Sequence, residues 1–311
     1  MWFETDADVR SPRLTHAAGC RCALHGRRLF SGALLAGAGA AWGQAQDGVH
    51  ADVGSQSKFT KLVSAEQVEA AAAQQYLQMQ REAAQQKALA PPNHPQVVRL
   101  RTIADRIIPF TPAWNPRATQ WKWEVNLIGS PQLNAFCMPG GKIAFYYGIL
   151  QKLQLSDDEV ATIMGHETAH ALREHARERM GKTAATRAGA SLLSALLGLG
   201  QTGDALLNMG SQLVTLKFSR DDESEADIVG MDLAARAGYD PRAGISLWNK
   251  MIEASKGAPP QFMSTHPSGP TRIRDIEAKL PKVMPLYAKA AKPDKRFAPP
   301  PLTSAPAAGA S

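Results

Sequence analysis

The pentapeptide His166-Glu167-Thr168-Ala169-His170 constrains this chain of 311 residues more than any other feature. Histidines four residues apart lie on one face of an α-helix, one turn from each other, where both imidazoles can meet a single zinc ion. Ser156-Asp157-Asp158-Glu159 has the form of a capping box, and the spacing predicts a helix from there to about Lys182. Glu167 then lies beside the histidines, close enough to take a proton from a water on the ion without being a ligand. The competing reading is a charged helix with surface histidines. His175 falls nine residues after His166, about 900° round the same helix, and is predicted on the opposite face, exposed to solvent.

A zinc hydrolase needs a third protein ligand and an open position. The best source is Glu223-Ser224-Glu225-Ala226-Asp227, read as part of a second helix. Glu223 and Asp227 share a face, whereas Glu225 lies about 200° round and points away. The longer Glu223 is the better ligand, and Asp227 is placed to hold a ligand histidine through its second nitrogen. The alternative is a helical run of solvated acids.

Further motifs stand around these residues. The acids sit within Ser219–Gly230 and are followed by Ala237-Gly238-Tyr239-Asp240-Pro241. Upstream stand Asn134-Ala135-Phe136 and Pro139-Gly140-Gly141, and downstream Thr265-His266-Pro267 with Arg272-Ile273. With these motifs in this order, roughly residues 95–280 resemble metallopeptidase family forty-eight, which includes prenyl-protease, HtpX, OMA, BepA-like and LoiP-like branches. The resemblance implies a zincin-type (gluzincin) catalytic domain holding one Zn2+ at His166, His170 and Glu223, with Glu167 as general base. It also implies that a strand at Asn134, Ala135 and Phe136 receives an extended peptide by edge pairing. His266 and Arg272 enter as a fourth zinc ligand or a transition-state stabiliser, since the matching histidine of BepA-like members reaches the zinc. The multiple membrane spans of the prenyl-protease and HtpX branches and the tetratricopeptide repeats of BepA are not seen here, so the similarity is to the small soluble periplasmic members.

The rest of the chain is read by pattern. Arg27-Arg28-Leu29-Phe30, a short apolar run to Trp42 and Gly43-Gln44-Ala45 make residues 1–45 a signal peptide, with arginines that resemble the twin-arginine export signal. Cleavage there removes Cys20 and Cys22 and leaves Cys137 alone, so no internal disulfide is expected. Residues 46–94 form a polar leader and a helix from Ser64 to Leu89, stopped by Pro91-Pro92. A second helix spans 96–108. Short strands at 121–128, 133–138 and 142–147, the last two joined at Pro139-Gly140-Gly141, predict a small antiparallel sheet. Helices follow at 184–200, 204–218, 219–237, 241–256 and 271–280. From Pro281 to Ser311 the chain is rich in Pro and Ala, and 290–311 is read as disordered. His266 precedes Pro267, which predicts extended backbone in a loop.

The expected fold class is therefore α+β, mainly helical. No apolar run reaches the ~18–20 residues of a membrane span. The net charge of +7 comes from scattered Lys and Arg, so nucleic acid is not an expected partner. The expected function is an exported, periplasmic zinc endopeptidase, membrane-associated at most, that cleaves unfolded or misassembled envelope proteins, with outer-membrane assembly factors as partners. Two other readings are a non-proteolytic periplasmic chaperone with a structural zinc and a zinc hydrolase of non-peptide amides.

Overall fold

The computed structural model describes residues 48–186, 209, 213, 216–256, 261–266 and 271–302. The signal peptide at 1–45 lies outside them, as do most of the helices read at 184–200 and 204–218, Pro267 and residues 303–311.

Helix α1 (Ala65–Gln85) starts where the Ser64 hydroxyl accepts from the Gln67 N–H. It buries Val68, Ala72 and Tyr76, whose hydroxyl donates to the Ile143 carbonyl and accepts from Asn126 Nδ2 at 3.1 Å, pinning the helix to the sheet. Helix α2 (Pro95–Ile107) opens on a proline, tolerated there because the first turn needs no N–H. It buries Leu100, Ile103 and Ile107.

Three strands follow: β1 (Glu124–Ile128), β2 (Ala135–Met138) and β3 (Lys142–Tyr146). Gly140 and Gly141, at φ +82° and +76°, turn β2 back onto β3 in an antiparallel pair. The sheet order is β1-β3-β2, and β1 runs parallel to β3, Glu124 opposite Lys142. The sheet is therefore mixed rather than antiparallel throughout. The hairpin is a local event, whereas the chain after β1 crosses over before pairing, leaving β2 at an edge. A short helix, α3 (Tyr147–Lys152), leads away.

Helix α4 (Asp157–Leu172) is the centre of the molecule. Its capping box forms: the Ser156 hydroxyl accepts from Glu159 N–H and the Glu159 carboxylate accepts from Ser156 N–H at 2.8 Å. Every residue of α4 except Asp158 is buried. It lies between β2 on one side and α6 (Arg220–Arg236) on the other, with α2 and α7 (Ala243–Ala254) also against it. The crossing with α6 is made at two glycines. A Cβ on Gly165 would sit 2.6 Å from the Gly230 carbonyl oxygen, and one on Gly230 would sit 2.6 Å from the His166 nitrogen.

The predicted single helix to Lys182 is broken. α4 stops at Leu172, Glu174 takes the left-handed conformation at φ 59°, and a separate helix, α5 (His175–Thr186), begins. After α7 come α8 (Gln261–Thr265) and α9 (Arg272–Lys289). The last helix runs through Pro281 and Pro285 instead of ending near Leu280. Both prolines are exposed and four residues apart, so the carbonyls they deprive of a partner face water, while Ile276 and Val283 are buried on the packed face.

Both flanking segments close on α4. At its C-terminal end, the Leu172 carbonyl accepts from Gln56 at 3.4 Å and Asn115 at 3.0 Å, and Arg173 Nη2 donates to the Gly54 carbonyl at 2.5 Å. At its N-terminal end, Phe297 N–H donates to Asp157 at 2.8 Å and Arg296 pairs with Asp158 at 2.8 Å. Residues 290–302, expected to be disordered, thus run extended along the body, with Ala298 and Pro300 carbonyls accepting from Gln96 and Gln154.

Candidate metal centre

Helix α4 presents His166 and His170 one turn apart, and their Nε2 atoms lie 3.1 Å from each other. Because α6 approaches at the Gly165–Gly230 crossing, its Glu223 reaches the same point: Oε2 is 3.6 Å from His166 Nε2 and Oε1 is 3.5 Å from His170 Nε2. A fourth side chain joins them from the end of α8. His266 Nδ1 lies 3.3 Å from His166 Nε2 and 3.0 Å from Glu223 Oε1. All four side chains are buried. His266 stands in a bend just past the end of α8, outside the helix, and its N–H donates to the Phe262 carbonyl at 2.8 Å.

The donor set and spacing fit zinc. Four ligands at Zn–N and Zn–O bonds of about 2.0–2.1 Å in a tetrahedron stand about 3.3–3.4 Å from one another. Three imidazole nitrogens turned toward one point alongside a carboxylate have little reason to meet unless something between them accepts their lone pairs.

The surroundings set protonation. Burial drives His170 well below its ordinary value, keeping it the neutral base that ligation requires. Burial opposes ionisation of Glu223 and Asp227 too, yet His166 and Arg272 next to both, and His266 next to Glu223, outweigh it and hold both acids below the usual carboxylate range. Arg272 is the common clamp. Its Nε and Nη2 donate to Asp227 at 2.6 and 2.8 Å, its Nη1 donates to Glu223 at 2.9 Å, and its guanidinium carbon lies 3.6 Å from the centre of the Trp248 ring. Asp227 in turn accepts from His166 Nδ1 at 3.0 Å, which leaves Nε2 free to face the centre.

Glu167 behaves differently. Its carboxyl is buried, burial pushes its pKa up, and its Oε1 has no hydrogen-bond partner, with His266 Nε2 3.5 Å away. It lines a cleft together with His170, His266, Asn134 and the β2 residues Ala135 and Phe136.

The structure thus brings together His166, Glu167, His170, Glu223, Asp227, His266 and Arg272, and sets Asn134–Phe136 across the cleft from them. His175 contradicts its sequence reading. It is 1% exposed, and its Nδ1 lies 2.9 Å from His170 Nδ1, because the turn at Arg173–Glu174 redirects the chain that the helical wheel had carried straight on. Glu225 does point away from the centre, as expected, but onto His175 Nε2 at 2.9 Å. Sequence reasoning also missed Phe218, stacked on the His170 ring at 3.9 Å, and Phe262, stacked on His266 at 4.5 Å.

A buried histidine-glutamate helix crossed by a second helix that supplies a glutamate and its aspartate partner defines a gluzincin-type metallopeptidase domain. The chain belongs to Peptidase family M48, whose profile matches residues 94–280. Among its relatives, the mitochondrial metalloendopeptidase OMA1 of Schizosaccharomyces pombe is 38% identical over 197 residues, covering 62% of this chain and 56% of the relative. The mitochondrial metalloendopeptidase OMA1 of Arabidopsis thaliana is 39% identical over 152 residues, covering 49% and 30%. The beta-barrel assembly-enhancing protease of Escherichia coli is 26% identical over 176 residues, covering 53% and 36%. In each of these the match spans less than two thirds of the relative's length.

Proposed function

We propose that this chain is an exported zinc-dependent endopeptidase that hydrolyses peptide bonds of unfolded or misassembled envelope proteins. The observation that carries the reading is the pairing of a converged His166–His170–Glu223 set with a buried Glu167 that lines the cleft and whose Oε1 lacks a hydrogen-bond partner. A structural metal site has no use for that glutamate.

A zinc ion held by His166, His170 and Glu223 supplies Lewis acidity to a peptide carbonyl and to a water molecule. Glu167 accepts the proton of the attacking water and passes it to the departing amine, a transfer suited to a carboxyl whose pKa is raised by burial. Edge strand β2 offers backbone groups to an extended chain, which recognises conformation more than sequence and favours unfolded substrates. Asp227 and Arg272 hold His166 and Glu223 in place.

His266, whose Nδ1 faces the same point, would offer a bound zinc a fourth protein donor. That makes the enzyme latent until the end of α8 gives way, a useful property where extended chains are abundant. Four protein donors also favour a second reading, a non-proteolytic binding protein with a structural zinc.

Export rests on the pattern at residues 1–45. Among the described residues no helix is long and apolar enough to cross a membrane. Similarity to beta-barrel assembly-enhancing proteases supports outer-membrane assembly factors as partners.

The test is zinc analysis combined with digestion of casein and of an unfolded outer-membrane protein. Glu167→Gln should keep its zinc and lose about 10²- to 10⁴-fold in turnover. A zinc-loaded wild type and His266→Ala variant that both leave every substrate uncut would establish the binding-protein reading instead.

A further inference from the structure

Each zinc-facing histidine of α4 must present Nε2 without a proton, so each needs an acceptor for the proton on Nδ1. For His166 that acceptor is Asp227. For His170 no carboxylate among the described residues bonds Nδ1. Its Nδ1 meets another imidazole nitrogen, Nδ1 of His175, at 2.9 Å.

Only one assignment of protons satisfies this chain of contacts. His170 Nδ1–H donates to His175 Nδ1, which must then be bare. The proton of His175 therefore sits on Nε2 and donates to Glu225 Oε2 at 2.9 Å. Glu225 is an anion there. Arg173 Nε and Nη2 lie 2.8 and 2.7 Å from Glu225 Oε1, and Nη2 is also tied to the Gly54 carbonyl. The local backbone explains how these groups meet: the left-handed Glu174 starts α5 at His175 and points that side chain back toward α4.

We propose that His175 and Glu225 are positioning residues of the metal centre, a relay that fixes the tautomer and ring orientation of His170 as Asp227 fixes those of His166. The relay rests on the reading of the centre as a zinc site. It gives the two histidines of one motif separate outer anions, Asp227 and Glu225, on the same helix α6. A single element thus supplies a ligand, Glu223, and the outer anions of both α4 histidines.

The experiment is competition for zinc between the full-length protein and a chromogenic chelator, alongside thermal melting of the zinc-free forms. His175→Phe fills the space but offers no acceptor, and its zinc affinity should fall about 10- to 100-fold. His175→Gln can accept through its amide oxygen and donate through its amide nitrogen, and should recover most of that loss. Glu225→Ala, whose side chain is partly exposed and easier to remove, should lose affinity like His175→Phe, and Glu225→Gln should lose less. Melting of the zinc-free Phe and Gln variants should agree, which separates positioning from packing. Wild-type affinity in His175→Phe, or in Glu225→Ala should the Phe variant not fold, overturns the relay. A His175→Gln variant as weak as His175→Phe also overturns it. A wild type that binds no zinc overturns the reading of the centre itself, and is told apart because the variants then show no difference to lose.

Discussion

Gly230→Ala is expected to spare the fold and damage the centre. The new Cβ would lie 2.6 Å from the His166 nitrogen and 2.9 Å from the Gly165 carbonyl carbon. Ordinary contact begins near 3.5 Å, so α4 and α6 must part by roughly 1 Å. The contacts are backbone on both sides, so no side chain can swing aside. Overpacking of this kind costs about 1–3 kcal/mol, and replacing a mid-helix glycine by alanine returns about 1 kcal/mol. The net loss is at most about 2 kcal/mol, and each kcal/mol lowers Tm by about 2–4 °C in a domain of this size. Glu223 rides on α6, and metal ligands tolerate about 0.2 Å of displacement. A misplacement near 1 Å in a catalytic constellation costs about 100-fold. Zinc affinity by chelator competition, kcat/KM on casein and a melting curve should therefore show a large functional loss beside a small thermal one. A Gly230→Ala protein with wild-type zinc affinity and activity would refute the claim that this crossing sets the position of Glu223.

His266→Ala should raise basal cleavage of an unfolded substrate with zinc retained, as measured by casein digestion and metal analysis; a sharp fall in activity with zinc intact would show that His266 stabilises the transition state instead. Arg272→Met should destabilise by about 3–5 kcal/mol, since Asp227 and Glu223 would remain buried without their cation, and urea titration of the zinc-free protein reads that loss directly. N-terminal sequencing of protein from a periplasmic extract should begin near Gln46; an intact Met1 in the cytosolic fraction would rule out processing at that site.

Features encoded over a few residues were legible in the sequence. The capping box at Ser156–Glu159, the one-turn spacing of His166 and His170, the shared face of Glu223 and Asp227, and the glycine hairpin before β3 all depend on neighbours along the chain. What escaped depends on neighbours in space. The wheel that put His175 in solvent assumed an unbroken helix, and no glycine or proline marks the turn at Glu174; the left-handed residue there is held by surrounding contacts. Pro281 reads as a stop because its missing N–H is a local fact, while the buried face that carries α9 past it is a tertiary one. The parallel pairing of β1 with β3 has no signature between adjacent residues at all. His266 was named through a resemblance, yet the short helix α8 that ends just before it was not foreseen, because five residues are too few to show a helical period.

The two segments that close on α4 bear on the order in which the protein is made. Synthesis releases the chain from its N-terminus, so the motif at 166–170 emerges well before Glu223, His266 or Arg272. The N-terminal end of α4 waits longer still, for Arg296 and Phe297 to bond Asp158 and Asp157. Contacts closed over such separations form late. A growing chain therefore carries His166, Glu167 and His170 without Glu223, so the proposed centre cannot act on the chain's own unfolded residues until that later helix has followed.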